Sequence, residues 1–324
     1  EAVFDLARQH GTLALEKADD MRRQQHSTHN RRVSFAVITD SAADISDEAM
    51  ERLDIHMVPA RIQFGDRGYL DKVSISADEL FRELASNPVH PTTSQPAPGD
   101  FRRQFQFLAS HFNDVIYVSL SPAVSGTYQA ALSAASRIAG PGRIHVVNSR
   151  NASVGQGQLA ILAAECAEAG LDVDTALAAL EKAIPATSTF ALIKDLRYAV
   201  RGGRVPAGVK ILADMLRVSP VLRTTAAGEV KARGVLAGRR NCLPSFASYI
   251  ARRVSNERKL HVSIGHAMCL DPARELVSML RERLPLIASC QVTNLGSAVG
   301  VHGGPGTLVV GIQEHLDPRS FRQI

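Results

Sequence analysis

The stretch DVIYVSLSPAVSGTYQAALSAASRIAGPGRIHVVNS, residues 114–149, reads as one complete strand–helix–strand unit. DVIYV and RIHVV are short apolar runs rich in β-branched residues, and the Ala-rich SGTYQAALSAASRI between them has helical spacing. Such apolar runs fit a parallel sheet covered by helices on both faces. The rhythm continues on either side. Upstream come SFAVITD (34–40), DISDEAMERL (44–53), IHMVPARIQF (55–64) and SADELFRELAS (76–86), and downstream GQGQLAILAAECAEAG (155–170) adds a helix. In sheets of this kind ligands collect at the loops that follow the carboxyl ends of the strands. Three loops have that location: TDSAAD (39–44), SLSPAVSGTYQ (119–129) and NSRNASVGQG (148–157).

A second unit opens near Ile184. STFALIKDLRYAVRGGRVP (188–206) reads as strand, helix and Gly-Gly turn, and VSPVLRTTAAGEVKARGVL (218–236) as a hairpin around Ala-Gly. LHVSIGHA (260–267), PARELVSMLRERL (272–284), SCQVTNLGSAVGVHGGPG (289–306) and TLVVGIQE (307–314) then supply strand, helix, strand and strand. The expected fold is α/β with two domains: a Rossmann-like parallel-sheet domain over 33–183 and a smaller mixed-sheet α/β domain over 184–324. Residues 1–32 read as an amphipathic helix followed by a polar linker.

The 324 residues exceed what one ordinary core supports and fit two domains with a crevice between them. Trp is absent and aromatic residues make up 5%, which leaves little material for base-stacking platforms and argues against nucleic acid as a partner. The net charge of +5 is scattered in pairs such as Arg22–Arg23, Arg239–Arg240 and Arg252–Arg253, the usual form of a solvated surface. Cys166, Cys242, Cys269 and Cys290 are isolated, without the spacing that builds a metal site, and read as reduced thiols of a cytoplasmic protein. Neither a membrane-length apolar run nor a signal-peptide pattern is visible.

Six motifs in order carry a family resemblance. They are TDSAAD (39–44), HPTTSQPAPGDF (90–101), SLSPAVSGTYQAA (119–131), LRYAVRGGRVP (196–206), VSPVL (218–222) and VHGGPGTLVVGI (301–312). Together they resemble the DegV family over about Phe35 to Ile312. That resemblance implies a carrier, not an enzyme, with a long-chain fatty acid buried between two α/β domains. It further implies that the carboxylate is presented to a fatty acid kinase for acyl-phosphate formation. The kinase would bring ATP and metal, so no cofactor is expected on this chain, and transient membrane contact is compatible with the role. Some family members follow a dihydroxyacetone-kinase-type domain in one polypeptide, and residues 1–32 read either as the tail of such a domain or as a helix packed on the sheet. The family's Lys-Pro before the hairpin reads here Val218-Ser219-Pro220.

Local chemistry points to the same head-group site. A carboxylate gains from the amides and dipole at a helix start, and Ser or Thr hydroxyls add directional donors. Thr93 and Ser125 are the first candidates by carry-over from the family positions, joined by Gly126, Thr127 and by His302 of the HGGPG turn. Ser41, Thr92, Ser94 and His266 are further candidate contacts, with helix capping or packing as their alternative roles. Arg201 and Arg204 of RGGR either steer an acyl phosphate or a partner, or are solvated charges at a helix end. Asp40 is assigned a structural role, since a carboxylate is a poor neighbour for another. A serine hydrolase using Ser125 and His302 is the competing reading, although SPAVSGT is not a GxSxG elbow. A phosphate- or sugar-binding module would instead require a polar crevice.

Overall fold

The computed structural model describes residues 33–139, 142–205, 208, 211, 215, 218–237, 242–255 and 257–323. The helix expected in residues 1–32 lies outside these. A four-stranded parallel sheet has the order β2-β1-β6-β7, from β1 (Ala36–Asp40), β2 (Ile55–Val58), β6 (Asp114–Ser119) and β7 (Arg143–Asn148). β1 and β6 are buried along their whole length, as the double-faced apolar runs require.

One face of this sheet packs on α3 (Pro98–His111) and α4 (Thr127–Ala135), with Phe101, Phe105, Leu108 and Tyr117 at the centre. The other face packs on α5 (Ser153–Glu168) and α6 (Val173–Ala183) through Leu159, Ala163, Ala176 and Leu180. α5 is buried nearly all round because it lies between two sheets, touching β1 and β6 on one side and strands of the second sheet on the other.

The second sheet is mixed and six-stranded, in the order β10-β9-β8-β13-β11-β12. Its members are β8 (Thr187–Leu192), β9 (Val218–Thr224), β10 (Val230–Ala237), β11 (Leu260–His266), β12 (Ile287–Asn294) and β13 (Leu308–Glu314). Only β11 and β12 pair in parallel; the β9–β10 hairpin turns at Gly228, whose φ of 82° is the left-handed geometry expected of Ala-Gly there. α8 (Leu243–Ala251) and α9 (Leu270–Arg283) cover one face through Phe246, Ile250, Leu276 and Leu280.

Three expectations need correction. IHMVPARIQF is not one strand: the chain breaks at Pro59, which has no N–H to give a ladder, and β3 (Arg61–Phe64) leaves for a small antiparallel sheet with β4 (Arg67–Leu70) and β5 (Thr92–Ser94). The PTTSQ loop therefore contains an edge strand, β5, with Thr93 paired to Ile62. SADELFRELAS does form a helix, α2 (Ala77–Ser86), closed by a Ser76–Glu79 capping box. Finally, His302 sits not on a turn but in the last turn of α10 (Ser297–Gly303), while α7 (Leu196–Arg201) precedes the Gly-Gly turn as expected.

Candidate functional site

The loops after β1, β6 and β7 meet the inner face of the mixed sheet around a pocket of about 1130 Å³ of space not filled by protein atoms, its mouth included. Thr93, Ser94, Ser125, Thr127, Arg204 and His302 line it. Thr92, Gly126, Arg201, Ser41 and His266 do not. Thr92 and Arg201 are exposed. Ser41 is buried beneath the β1 loop, where its hydroxyl accepts the Ala60 N–H at 3.0 Å. His266 ends β11 away from the pocket, buried, with Arg274 as its charged neighbour; burial first and then that guanidinium hold its imidazole below the usual range.

At the polar end two pairs of side chains come from three segments. β5 presents Thr93, whose Oγ1 lies 2.8 Å from His302 Nε2, although the residues are 209 apart in the chain. The loop entering α4 presents Ser125, whose Oγ lies 2.8 Å from Thr127 Oγ1 and accepts the Thr127 N–H at 3.3 Å. Gly126 is the N-cap of α4, and no side chain caps that helix.

Burial, then the nearby Arg204 and His90, push the His302 imidazole down to about 3, so the ring is neutral at physiological pH. Its Nδ1 is buried without a partner. A buried N–H with no acceptor is costlier than an unused lone pair, so the proton belongs on Nε2, donating to Thr93 Oγ1. The Thr93 hydroxyl proton is then left to point into the pocket.

Gly202 explains why Nδ1 has nothing to bond. A Cβ built on Gly202 would stand 2.0 Å from His302 Nδ1. The first glycine of RGGR thus gives the imidazole its seat, a function that the motif's charges obscure and that only the fold reveals. Arg204 folds back to donate to the Gly202 carbonyl at 2.6 Å and stays exposed at the mouth.

Asp40 forms part of the floor. It is 2% exposed and accepts from Ala42 N, Tyr117 Oη, Leu120 N and Gln156 Nε2, at 2.9–3.1 Å. Burial raises its carboxyl above the usual range against the pull of these donors. Its lone pairs are spent on holding the β1 and β6 loops together, which is a structural role.

The rest of the lining is mostly apolar, with Ser153, Thr189, Arg223, Thr224 and Thr307 as polar members. Ile193, Ala199, Val205, Leu222 and Val230 come from one cluster on the β8–β10 side of the mixed sheet, and Val309 of β13, from a second cluster, also lines the pocket. The catalytic geometry of a serine hydrolase is not assembled: Ser125 bonds Thr127, His302 bonds Thr93, and no carboxylate orients Nδ1. Among the described residues no group of three or more His, Cys, Asp or Glu side chains could hold a metal ion, and no helix is long and apolar enough to cross a membrane.

The family model described as "Uncharacterised protein, DegV family" matches residues 34–315. A DegV domain-containing protein of Streptomyces coelicolor is 32% identical over 277 residues, covering 85% of this chain and 96% of that protein. Among solved structures, a Thermus thermophilus DegV family protein described for fatty acid binding superposes with a TM-score of 0.79 at 28% identity, covering 87% of this chain and all of that one. A Ruminococcus gnavus DegV protein refined with vaccenic acid gives a TM-score of 0.77 at 25% identity, covering 86% of this chain and 99% of that one.

Proposed function

The chain belongs to the DegV family, and from that premise we propose that it is a carrier that binds one long-chain fatty acid and presents the carboxylate to a fatty acid kinase for conversion to acyl phosphate. The observation that carries the reading is a single, mostly apolar pocket whose lining includes the Thr93–His302 and Ser125–Thr127 pairs. The carboxylate is received by Ser125, Thr127, Thr93 and the start of α4, with His302 aiming the Thr93 hydroxyl. The alkyl chain lies on Ile193, Leu222 and Val230. Burying sixteen to eighteen carbons at about 0.8 kcal/mol per CH₂ gives on the order of 10 kcal/mol before ordering costs, enough for the ligand to survive purification.

The apolar wall speaks against a phosphate or sugar ligand, and the Ser125 and His302 partners speak against hydrolysis. Arg204, exposed at the mouth beside His302, is placed to meet the incoming phosphoryl group or the kinase, and Arg201 lies outside the pocket on the same turn. The domain division at 183/184 follows the passage from the parallel to the mixed sheet.

The test is mass spectrometry of small molecules released by denaturing the purified protein, followed by addition of fatty acid kinase and ATP. About one fatty acid per chain and its conversion to acyl phosphate are expected. A chain that carries none and takes up none when offered defeats the carrier reading; a loaded chain that no such kinase phosphorylates defeats only the presentation step.

A further inference from the structure

What aims His302 is α10, and α10 has little reason to form by itself. Its sequence SAVGVHG contains two glycines and two valines, all poor helix formers, and its N-cap is Gly296 with no side chain to cap it. Yet its first three amides each end on a carboxylate oxygen. Gly296 N donates to Asp44 Oδ1 at 2.7 Å, Ser297 N to Asp71 Oδ1 at 2.8 Å and Ala298 N to Asp71 Oδ2 at 3.1 Å.

Both carboxylates are buried, 2% exposed at Asp44 and 0% at Asp71. Asp44 also receives the Ser153 hydroxyl at 2.6 Å, and Lys72 beside Asp71 donates to the Ile45 carbonyl at 3.4 Å. Asp44, Lys72 and Ser153 all have left-handed backbones, with φ of 47°, 63° and 54°. Strain unfavourable to L-residues is therefore gathered around these two acids, as happens where surrounding structure over-determines a functional arrangement.

Resting on the carrier reading, we infer that Asp71, with Asp44 beside it, is a positioning residue of the head-group site. The two acids fix where α10 starts, and so where Ala298, Val299 and His302 meet the ligand; all three line the pocket. A carboxylate accepts on both oxygens, whereas an amide accepts on one and would turn an N–H against the Ala298 N–H. Asp71→Asn thus disconnects one amide while keeping volume and shape.

The experiment compares Asp71→Asn, Gly296→Ala and Asp172→Ala in the full chain. In Gly296→Ala both acids remain, but a Cβ would crowd Lys72 Cε at 3.0 Å, Asp44 Oδ1 at 3.2 Å and Asp71 Oδ2 at 3.3 Å, so this variant carries the test if Asp71→Asn does not fold. Asp172 caps α6 by accepting Thr175 N at 2.7 Å and does not line the pocket, so its loss reports a mere capping defect. Amide exchange over residues 296–303 and release of a fluorescent polyene fatty acid are read together. Both should quicken about tenfold in the first two variants and in neither respect in Asp172→Ala. Unchanged exchange at 296–303, or faster exchange with unchanged release, overturns the inference. A wild-type chain that takes up no probe defeats the carrier reading alone; the inference is then decided by exchange and by the His302 imidazole nitrogen shifts, which must move in Asp71→Asn and stay put in Asp172→Ala.

Discussion

Two helices, α4 and α10, bring residues to the pocket, and the sequence treats their starts in opposite ways. α10 begins on three amides, each satisfied by a buried carboxylate of the protein itself. α4 begins at Gly126 with no side-chain cap, and only Ser125 Oγ reaches back, weakly, to Thr127 N at 3.3 Å. Both starts carry the same partial positive charge. The closed one belongs to the architecture and can be rigid; the open one is where the proposed function puts the ligand's carboxylate. The difference teaches that the site is built by withholding a cap at one helix and over-supplying it at its neighbour.

The closed start should give the largest effect. Burial, opposed by Lys72, raises the Asp44 carboxyl to about 7 from 3.8. A group whose folded-state value is raised stabilises the fold below its unfolded value, and that contribution is lost as pH rises through the folded one. Over the window from 3.8 to about 7 the loss is at most about 4 kcal/mol. Asp44→Asn, which stays neutral, should therefore flatten the decline in stability between about pH 5 and 8. Asp40, shifted in the same direction, keeps part of the slope. Denaturant unfolding at the two pH values measures it, and identical slopes in variant and wild type would show that Asp44 is not the buried acid that titrates.

Next comes conversion of the open start into a closed one. Ser125→Asp places a carboxylate where the ligand's is proposed to sit, so fatty acid content should fall more than about 100-fold while α4 gains roughly 0.5 kcal/mol from the new charge at its start. Retained ligand with unchanged stability would mean that the carboxylate binds elsewhere. His302→Ala, which removes the group aiming Thr93, should weaken binding about 30-fold by the same factor throughout pH 5.5–8, so that any step there comes from Asp44 and is shared with the wild type, whose ring is held at about 3 and already neutral. Titration of affinity by fluorescence between pH 5.5 and 8 reads both. A histidine step in that range would show that the ring is solvated and that the Thr93 relay is not formed.

The parallel half of this architecture was legible because buried strands and Ala-rich helices announce themselves by local pattern: β1, β6, α4 and α5 fall where SFAVI, DVIYV, SGTYQAALSAASRI and GQGQLAILAAECAEAG place them. Less was legible where tertiary contacts override local preference. The first amides of α10 are received by Asp44, 252 residues before Gly296, and by Asp71, contacts invisible in SCQVTNLGSAVGVHGGPG, which reads as a strand ending in a glycine-rich turn. β3 turns away at Pro59, and β5 exists only as an edge paired to it. The same reason hid two site features. No spacing rule joins Thr93 to His302, and Gly202 looks like part of a charged turn until the imidazole is seen against it.

The smallest effect expected is at Gly126, and it sets the boundary of the open start. A Cβ there would stand 2.1 Å from Gln95 Oε1 and 3.2 Å from its Cδ. These atoms are the far end of an exposed, flexible side chain, and φ of −71° suits alanine, so the amide can swing aside. Alanine is the poorer N-cap residue, by roughly 0.5–1 kcal/mol relative to glycine. Gly126→Ala should therefore lower stability by no more than about 1 kcal/mol and leave fatty acid affinity within about threefold, the latter read by the same fluorescence titration. Gln95 nevertheless lines the pocket. A tenfold loss in Gly126→Ala that Gln95→Ala reproduces would make that amide a direct ligand contact, and the polar end would then extend along the TTSQ strand and not stop at its threonine.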